Sequence, residues 1–136
     1  MSFDNLFLDT SGLLCLFDEA DSRHDEAAQF FRQAKRLLTT NYVLAEFVPL
    51  AQTRRLKRDD SLNFLIELCK LPRLELVWID ENLHNRAINL LKNRLDKTYS
   101  LCDAVSFVTM RERGILEALT TDKHFEQEGF IKLLNS

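Results

Sequence analysis

Four acidic residues stand where a carboxylate does more than solvate a surface. Asp9 closes the apolar run Asn5-Leu6-Phe7-Leu8 and is followed by Thr10-Ser11 and a second apolar run, a pattern that reads as strand, abrupt stop and helix start. Glu46 sits early in the helix after a second strand, beside Phe47 and two residues from Leu44, where an unpaired carboxylate is costly to bury. Asp103 falls in the first turn of a later helix, and Asp122 follows a fourth strand. In an open parallel sheet, strand ends and the helix starts that follow them share one edge, so topology alone brings Asp9, Glu46 and Asp122 to one crevice. Asp103 joins them if its helix begins on that side. Carboxylates crowded together raise one another's pKa and oppose the compact state unless a cation compensates. Oxygen ligands without paired His or Cys point to a hard ion, Mg²⁺ or Mn²⁺, and away from zinc or copper. Such an ion bridges to phosphate oxygens and acidifies water, which makes a phosphodiester the natural substrate. Each acid also has a plainer reading, Asp9 as a helix cap and Asp103 as a charge favoured by the helix dipole.

The elements that must position these acids alternate. Ser11 is expected to cap a short helix through Phe17, and a polar connection over 18–23 leads to a helix from about His24, with Ala27, Phe30, Phe31 and Ala34 at helical spacing. Arg36–Thr39 reads as the second strand, Thr40 and Asn41 as caps, and Tyr42 to about Arg55 as an amphipathic helix that Pro49 should bend or break. Asp59-Asp60-Ser61 should cap a helix running to Lys70, and Leu74 to Ile79 alternates as a third strand. Asp80 should cap a long helix carrying Leu83, Ala87, Leu90 and Leu91. A helix over 101–113 ends at Gly114, a fourth strand covers 116–121, and after a short helical turn an edge strand is expected over 130–133. Strands separated by helices imply a mainly parallel sheet covered on both faces.

Composition sets the bounds. The chain has 136 residues, 46% of them hydrophobic, with ten Phe, three Gly and two Pro, which suits one compact domain over 1–136 rather than a disordered chain. The net charge of −3 argues against a passive nucleic-acid coat, although basic patches remain available to an anionic substrate. The three cysteines, Cys15, Cys69 and Cys102, lack Cys-x-x-Cys spacing and are expected to be reduced and mostly buried. No apolar run approaches the roughly 20 residues of a membrane span, and residues 1–8 lack the pattern of a signal peptide, so a soluble cytoplasmic protein is expected.

Four blocks carry a family likeness: Phe7-Leu8-Asp9-Thr10-Ser11-Gly12-Leu13-Leu14, Leu38-Thr39-Thr40-Asn41-Tyr42-Val43-Leu44-Ala45-Glu46, Ser100-Leu101-Cys102-Asp103-Ala104-Val105-Ser106-Phe107 and Leu119-Thr120-Thr121-Asp122-Lys123-His124-Phe125. In order and over nearly the whole chain, they resemble the signature blocks of PIN-domain ribonucleases, particularly the VapC-like toxins. The resemblance implies a three-layer α/β/α sandwich around about five mainly parallel strands. It further implies Mg²⁺- or Mn²⁺-dependent endoribonuclease activity leaving a 5′-phosphate and a 3′-hydroxyl, a homodimer and a small protein antitoxin. By the same likeness Asp9, Glu46 and Asp103 take the places of the principal metal-site acids and Asp122 that of a fourth. Thr120 matches a hydroxyl residue that positions water or a carboxylate. Ser11 either does the same or only caps its helix.

Other residues read more than one way. Arg54-Arg55-Leu56-Lys57-Arg58 either grips an RNA backbone or complements the end of a helix. His24 and His84 read as surface or local packing, His124 as structural despite its place beside Asp122, and Cys102 as a core thiol rather than a nucleophile. Two alternative functions remain: a catalytically silent PIN-fold binding module, and a receiver-like phosphoacceptor domain using Lys123, which would need a second acid beside Asp9 that the chain lacks.

Overall fold

A computed structural model describes residues 3–136. Among them lie five strands and seven helices: β1 Phe3–Leu8, α1 Thr10–Phe17, α2 His24–Gln33, β2 Ala34–Thr40, α3 Asn41–Thr53, α4 Arg58–Cys69, β3 Leu74–Val77, α5 Glu81–Lys92, α6 Leu101–Arg113, β4 Glu117–Leu119, α7 Lys123–Gln127 and β5 Ile131–Lys132. The sheet order is β3-β2-β1-β4-β5, and every neighbouring pair is parallel. Leu6, Phe7 and Leu8 on the central strand are consecutive and fully buried, which requires cover on both faces. The helices supply it in two packed groups, α1 with α2 and α3 with α4 on the one hand, α5 and α7 against α6 on the other. Phe7, Phe107, Phe125 and Phe130 interlock by ring contacts between sheet and helices.

Several local features follow the residue pattern. Thr40 accepts the Val43 amide, Asp80 the Leu83 amide and Ser100 the Asp103 amide, while Gly114 ends α6 with φ 66°. Asn41 opens α3 and its side chain receives the Ile79 amide, tying the exit of β3 to the start of that helix.

Other expectations are corrected. Ser11 caps nothing: α1 begins at Thr10 with Asp9 at the capping position, and Ser11 lies inside the helix. Pro49 does not break α3, because Pro49 and Ala45 both sit on its exposed face, where solvent can take over the carbonyl a proline cannot serve. Helix α4 starts at Arg58 behind Lys57, so Asp59 and Asp60 lie in its first turn, and Ser61 Oγ donates back to Arg58 O. Ala34 opens β2 rather than closing α2, and β3 and β4 are shorter than their apolar runs. All three cysteines are free; Cys15 and Cys102 are buried but Cys69 is exposed. Among the described residues no helix is long and apolar enough to cross a membrane.

Candidate active site

The register of the three central strands fixes the site. Leu8 pairs with Leu119, so the chains leave β1 and β4 side by side at the carboxyl-terminal edge. There the Asp9 amide donates to Leu119 O at 3.2 Å. The Asp9 side chain makes no capping bond and turns inward instead. Its Oδ2 accepts the Thr120 hydroxyl at 2.7 Å and the Ser11 hydroxyl at 3.1 Å. Thr120 Oγ1 in turn accepts the Asp122 amide at 3.0 Å, and Ser11 Oγ accepts the Thr121 amide at 3.0 Å. Two hydroxyls therefore hold the carboxylate and the exit of β4 together.

A second cluster forms at the start of α6. Ser100 and Asp103 make a reciprocal capping box in which Asp103 Oδ2 accepts the Ser100 amide at 3.0 Å. The same oxygen lies 3.0 Å from His124 Nδ1, which also stands 3.4 Å from Asp122 Oδ1. Asp122 caps α7 by accepting the His124 amide at 2.9 Å. One ligand atom each from Asp103, Asp122 and His124 lies within 4.8 Å of the other two. Sequence reasoning left His124 out of the site, and the only signal for it was its position two residues after Asp122.

Electrostatics joins the clusters. Burial pushes the Asp9 carboxyl up to about 7, against the pull of the Thr120 hydrogen bond, and the Asp103 charge pushes it further. Burial also raises Asp103, partly offset by the Ser100 amide and His124, with the Asp122 charge adding to the rise. Glu46, on α3, is half-buried and makes no hydrogen bond or ion pair with the described residues. Burial drives the Cys102 thiol up, and the charges of Glu46, Asp9 and Asp103 drive it further. A thiol raised in this way is a poor nucleophile at neutral pH, which removes Cys102 as a catalytic candidate.

Buried acids raised by burial and by one another, together with further oxygen donors and one imidazole within reach, form a donor set that fits a divalent cation. The basic run after α3 is only partly available to a polyanion. Arg54 Nη1 is held by Asp18 Oδ2 at 3.2 Å and Asp21 Oδ2 at 3.0 Å, which locks it to the loop between α1 and α2. Arg55 and Lys57 remain exposed. His24 Nδ1 meets Cys15 O at 2.9 Å and His84 pairs with the Tyr42 hydroxyl, both local roles.

A parallel sheet in the order 3-2-1-4-5, with Asp9 and Asp122 after the exits of β1 and β4 and Asp103 at a helix start beside them, is the plan of a PIN domain. The chain belongs to the PIN domain family, whose profile matches residues 6–130. It is 32% identical over 129 residues to the 23S rRNA-specific endonuclease VapC20 of Mycobacterium tuberculosis strains CDC 1551 / Oshkosh and H37Rv, covering 94% of this chain and 97% of that protein. The crystal structure of Mycobacterium tuberculosis VapC20, described as a Sarcin-Ricin loop cleaving toxin, matches with a TM-score of 0.84 and 29% identity, covering 93% of this chain and 97% of that one. VapBC2 from Rickettsia felis, crystallised on a DNA fragment from its promoter, shares the fold with a TM-score of 0.64 at 13% identity, over 96% of this chain and 98% of that one.

Proposed function

We propose that this protein is a divalent-metal-dependent endoribonuclease, a single nuclease domain over 1–136 that hydrolyses RNA phosphodiester bonds as the toxin of a toxin–antitoxin pair. The observation that carries the reading is the convergence of Asp9, Asp103 and Asp122 through Thr120 and His124, in a chain 32% identical to VapC20. The toxin class implies a small protein antitoxin, a homodimer and a cytoplasmic setting. Because that relative acts on 23S rRNA, a structured ribosomal RNA loop is the first substrate to offer.

Asp9, Glu46, Asp103 and Asp122 are the residues that would hold Mg²⁺ or Mn²⁺. When bound, such an ion neutralises charge on phosphate oxygens and lowers the pKa of an attacking water. The chain's own contribution is positional. Thr120 and Ser11 fix the rotamer of Asp9 by donating to one of its oxygens. Ser100 does the same for Asp103 through the capping box. Exposed Arg55 and Lys57 offer phosphate contacts that do not read sequence.

The test compares wild type with Asp9→Asn, Glu46→Gln and Asp103→Asn on a structured ribosomal RNA fragment, with Mn²⁺ and with EDTA. Wild type should cleave only with the metal and leave a 5′-phosphate. Each variant should lose on the order of a hundredfold or more. Equal cleavage by all four proteins, or undiminished cleavage in EDTA, rejects the reading. Growth arrest on expressing wild type but not Asp9→Asn tests the toxin role.

A further inference from the structure

In the sequence His124 has no partner at the spacing of a metal-ligand pair, yet the fold sets its Nδ1 3.0 Å from Asp103 Oδ2 and 3.4 Å from Asp122 Oδ1. Donor atoms about 2.1 Å from a six-coordinate ion lie about 3 Å apart along an octahedral edge, so these separations suit neighbouring ligands of one ion. We propose that His124 Nδ1 is a nitrogen ligand in the carboxylate site and biases that site toward Mn²⁺ over Mg²⁺. The inference rests on the metal-dependent nuclease reading above and adds to it a donor of different chemistry.

The far side of the ring carries an independent observation. His124 Nε2 lies 3.1 Å from Thr98 Oγ1, a hydroxyl able to accept its proton. Metal-binding imidazoles regularly carry such a partner on the remote nitrogen, which fixes the tautomer whose other nitrogen is bare. With Nε2 protonated toward Thr98, Nδ1 presents a lone pair to two carboxylates, an arrangement that a shared cation makes favourable. The other tautomer, with Nδ1–H donating to Asp103 and the Thr98 hydroxyl donating to Nε2, is compatible with the same two distances.

That place is built by the surroundings. The Asp122 side chain accepts the His124 amide at 2.9 Å, and the Tyr99 ring meets the imidazole edge-on with centroids 5.2 Å apart. The discrimination follows from ligand chemistry. Mg²⁺ holds oxygen ligands and gives up water reluctantly, whereas imidazole nitrogen suits transition-metal ions. Losing the nitrogen should therefore weaken Mn²⁺ binding and leave Mg²⁺ binding nearly as it was.

His124→Asn is the informative variant. The Asn amide nitrogen falls near the Nδ1 position and can still donate to Asp103, so a purely positioning role survives while the nitrogen lone pair is lost. Mn²⁺ and Mg²⁺ binding to wild type, His124→Asn and Asp9→Asn is measured by calorimetry without RNA, and the Mn²⁺ complexes are examined by spin-echo electron paramagnetic resonance for nitrogen coupling. Thermal unfolding confirms that each variant is folded. Wild type should show coupled nitrogen. His124→Asn should lose that signal and bind Mn²⁺ about tenfold or more weakly, with Mg²⁺ affinity within about twofold, whereas Asp9→Asn should weaken both ions. A wild-type Mn²⁺ complex without nitrogen coupling, or an unchanged ratio of Mn²⁺ to Mg²⁺ affinity in His124→Asn, overturns the ligand assignment and leaves the nuclease reading standing. Failure of wild type to bind either ion overturns both.

Discussion

Thr120 Oγ1 donates a 2.7 Å hydrogen bond to Asp9 Oδ2, joining side chains 111 positions apart at the exits of two adjacent strands. The bond opposes the burial that raises the Asp9 pKa, so removing it should let that pKa climb above about 7. Thr120→Val keeps the shape and deletes the hydroxyl, while also leaving the Asp122 amide without its acceptor. The expected outcome is a loss of about 1–3 kcal/mol in folding stability and an acid limb of the RNA-cleavage pH profile displaced upward by about one unit. Thr120→Ser should restore both. Superimposable pH profiles for wild type and Thr120→Val would show that the hydroxyl does not govern the carboxyl.

Asp9 also gives the metal-free protein a pH-dependent stability. In the folded chain the carboxyl keeps its proton up to about 7, against an ordinary value of 3.8, so between these values the folded state binds more protons than the unfolded state. The slope of unfolding free energy with pH is then negative: this group's contribution is greatest below the ordinary value and is lost as pH rises through the folded one. Asp103, raised by burial, works in the same direction. In EDTA the melting temperature should fall between about pH 4 and about pH 7, and Asp9→Asn should flatten that fall. Stabilisation by Mn²⁺ should grow over the same range, because the ion needs the ionised carboxylate. A metal-free melting temperature independent of pH in wild type would contradict the buried position of Asp9.

What the sequence disclosed and what it hid divide along a physical line. Asp9 and Asp122 were legible because a carboxylate directly after an apolar strand is a local pattern, and Gly114, Thr40 and Asp80 because caps act within a few residues. His124 was not legible, since its partner Asp103 lies 21 positions away on another element. Ser11 follows the local pattern of a cap, but its hydroxyl is engaged by residues more than 100 positions away once β4 settles beside β1. Arg54 stands in a basic run that suggests an RNA contact, and only the return of the loop with Asp18 and Asp21 reveals its ion pairs.

Gly12 permits the closest approach in the site. A Cβ there would lie 1.9 Å from Leu119 O and 2.7 Å from Leu119 C, both backbone atoms that cannot swing away. Gly12→Ala must therefore lift α1 off the end of β4 and pull Ser11 away from Thr120 and Thr121. Urea unfolding should show a loss on the order of 3 kcal/mol or more, with RNA cleavage falling in parallel. A variant as stable as wild type would mean that α1 does not seat against Leu119 as described.

Glu128 clamps the helix that carries His124. Its side chain, 3% exposed, accepts Arg94 Nε at 2.7 Å and Arg111 Nη2 at 2.6 Å, so the loop after α5 and the end of α6 both fasten to the residue following α7. Burial alone would raise this carboxyl, but the bonds from Arg94 and Arg111 hold it below its ordinary value. Breaking a fully buried pair costs 3–5 kcal/mol, yet both arginines here are more than a third exposed, so Glu128→Gln should cost about 2 kcal/mol. A depressed acid stabilises above its unfolded pKa and loses that contribution as pH falls through its folded value. Urea unfolding of wild type and Glu128→Gln should thus differ most near pH 7 and converge only as pH falls below the ordinary carboxylate value. Because α7 also holds the cap of Asp122, Mn²⁺ affinity should fall with the stability. Equal stability at neutral pH would show that the paired arginines repay only their own desolvation, and that α7 is held by the packing of Phe125 and Phe130 instead.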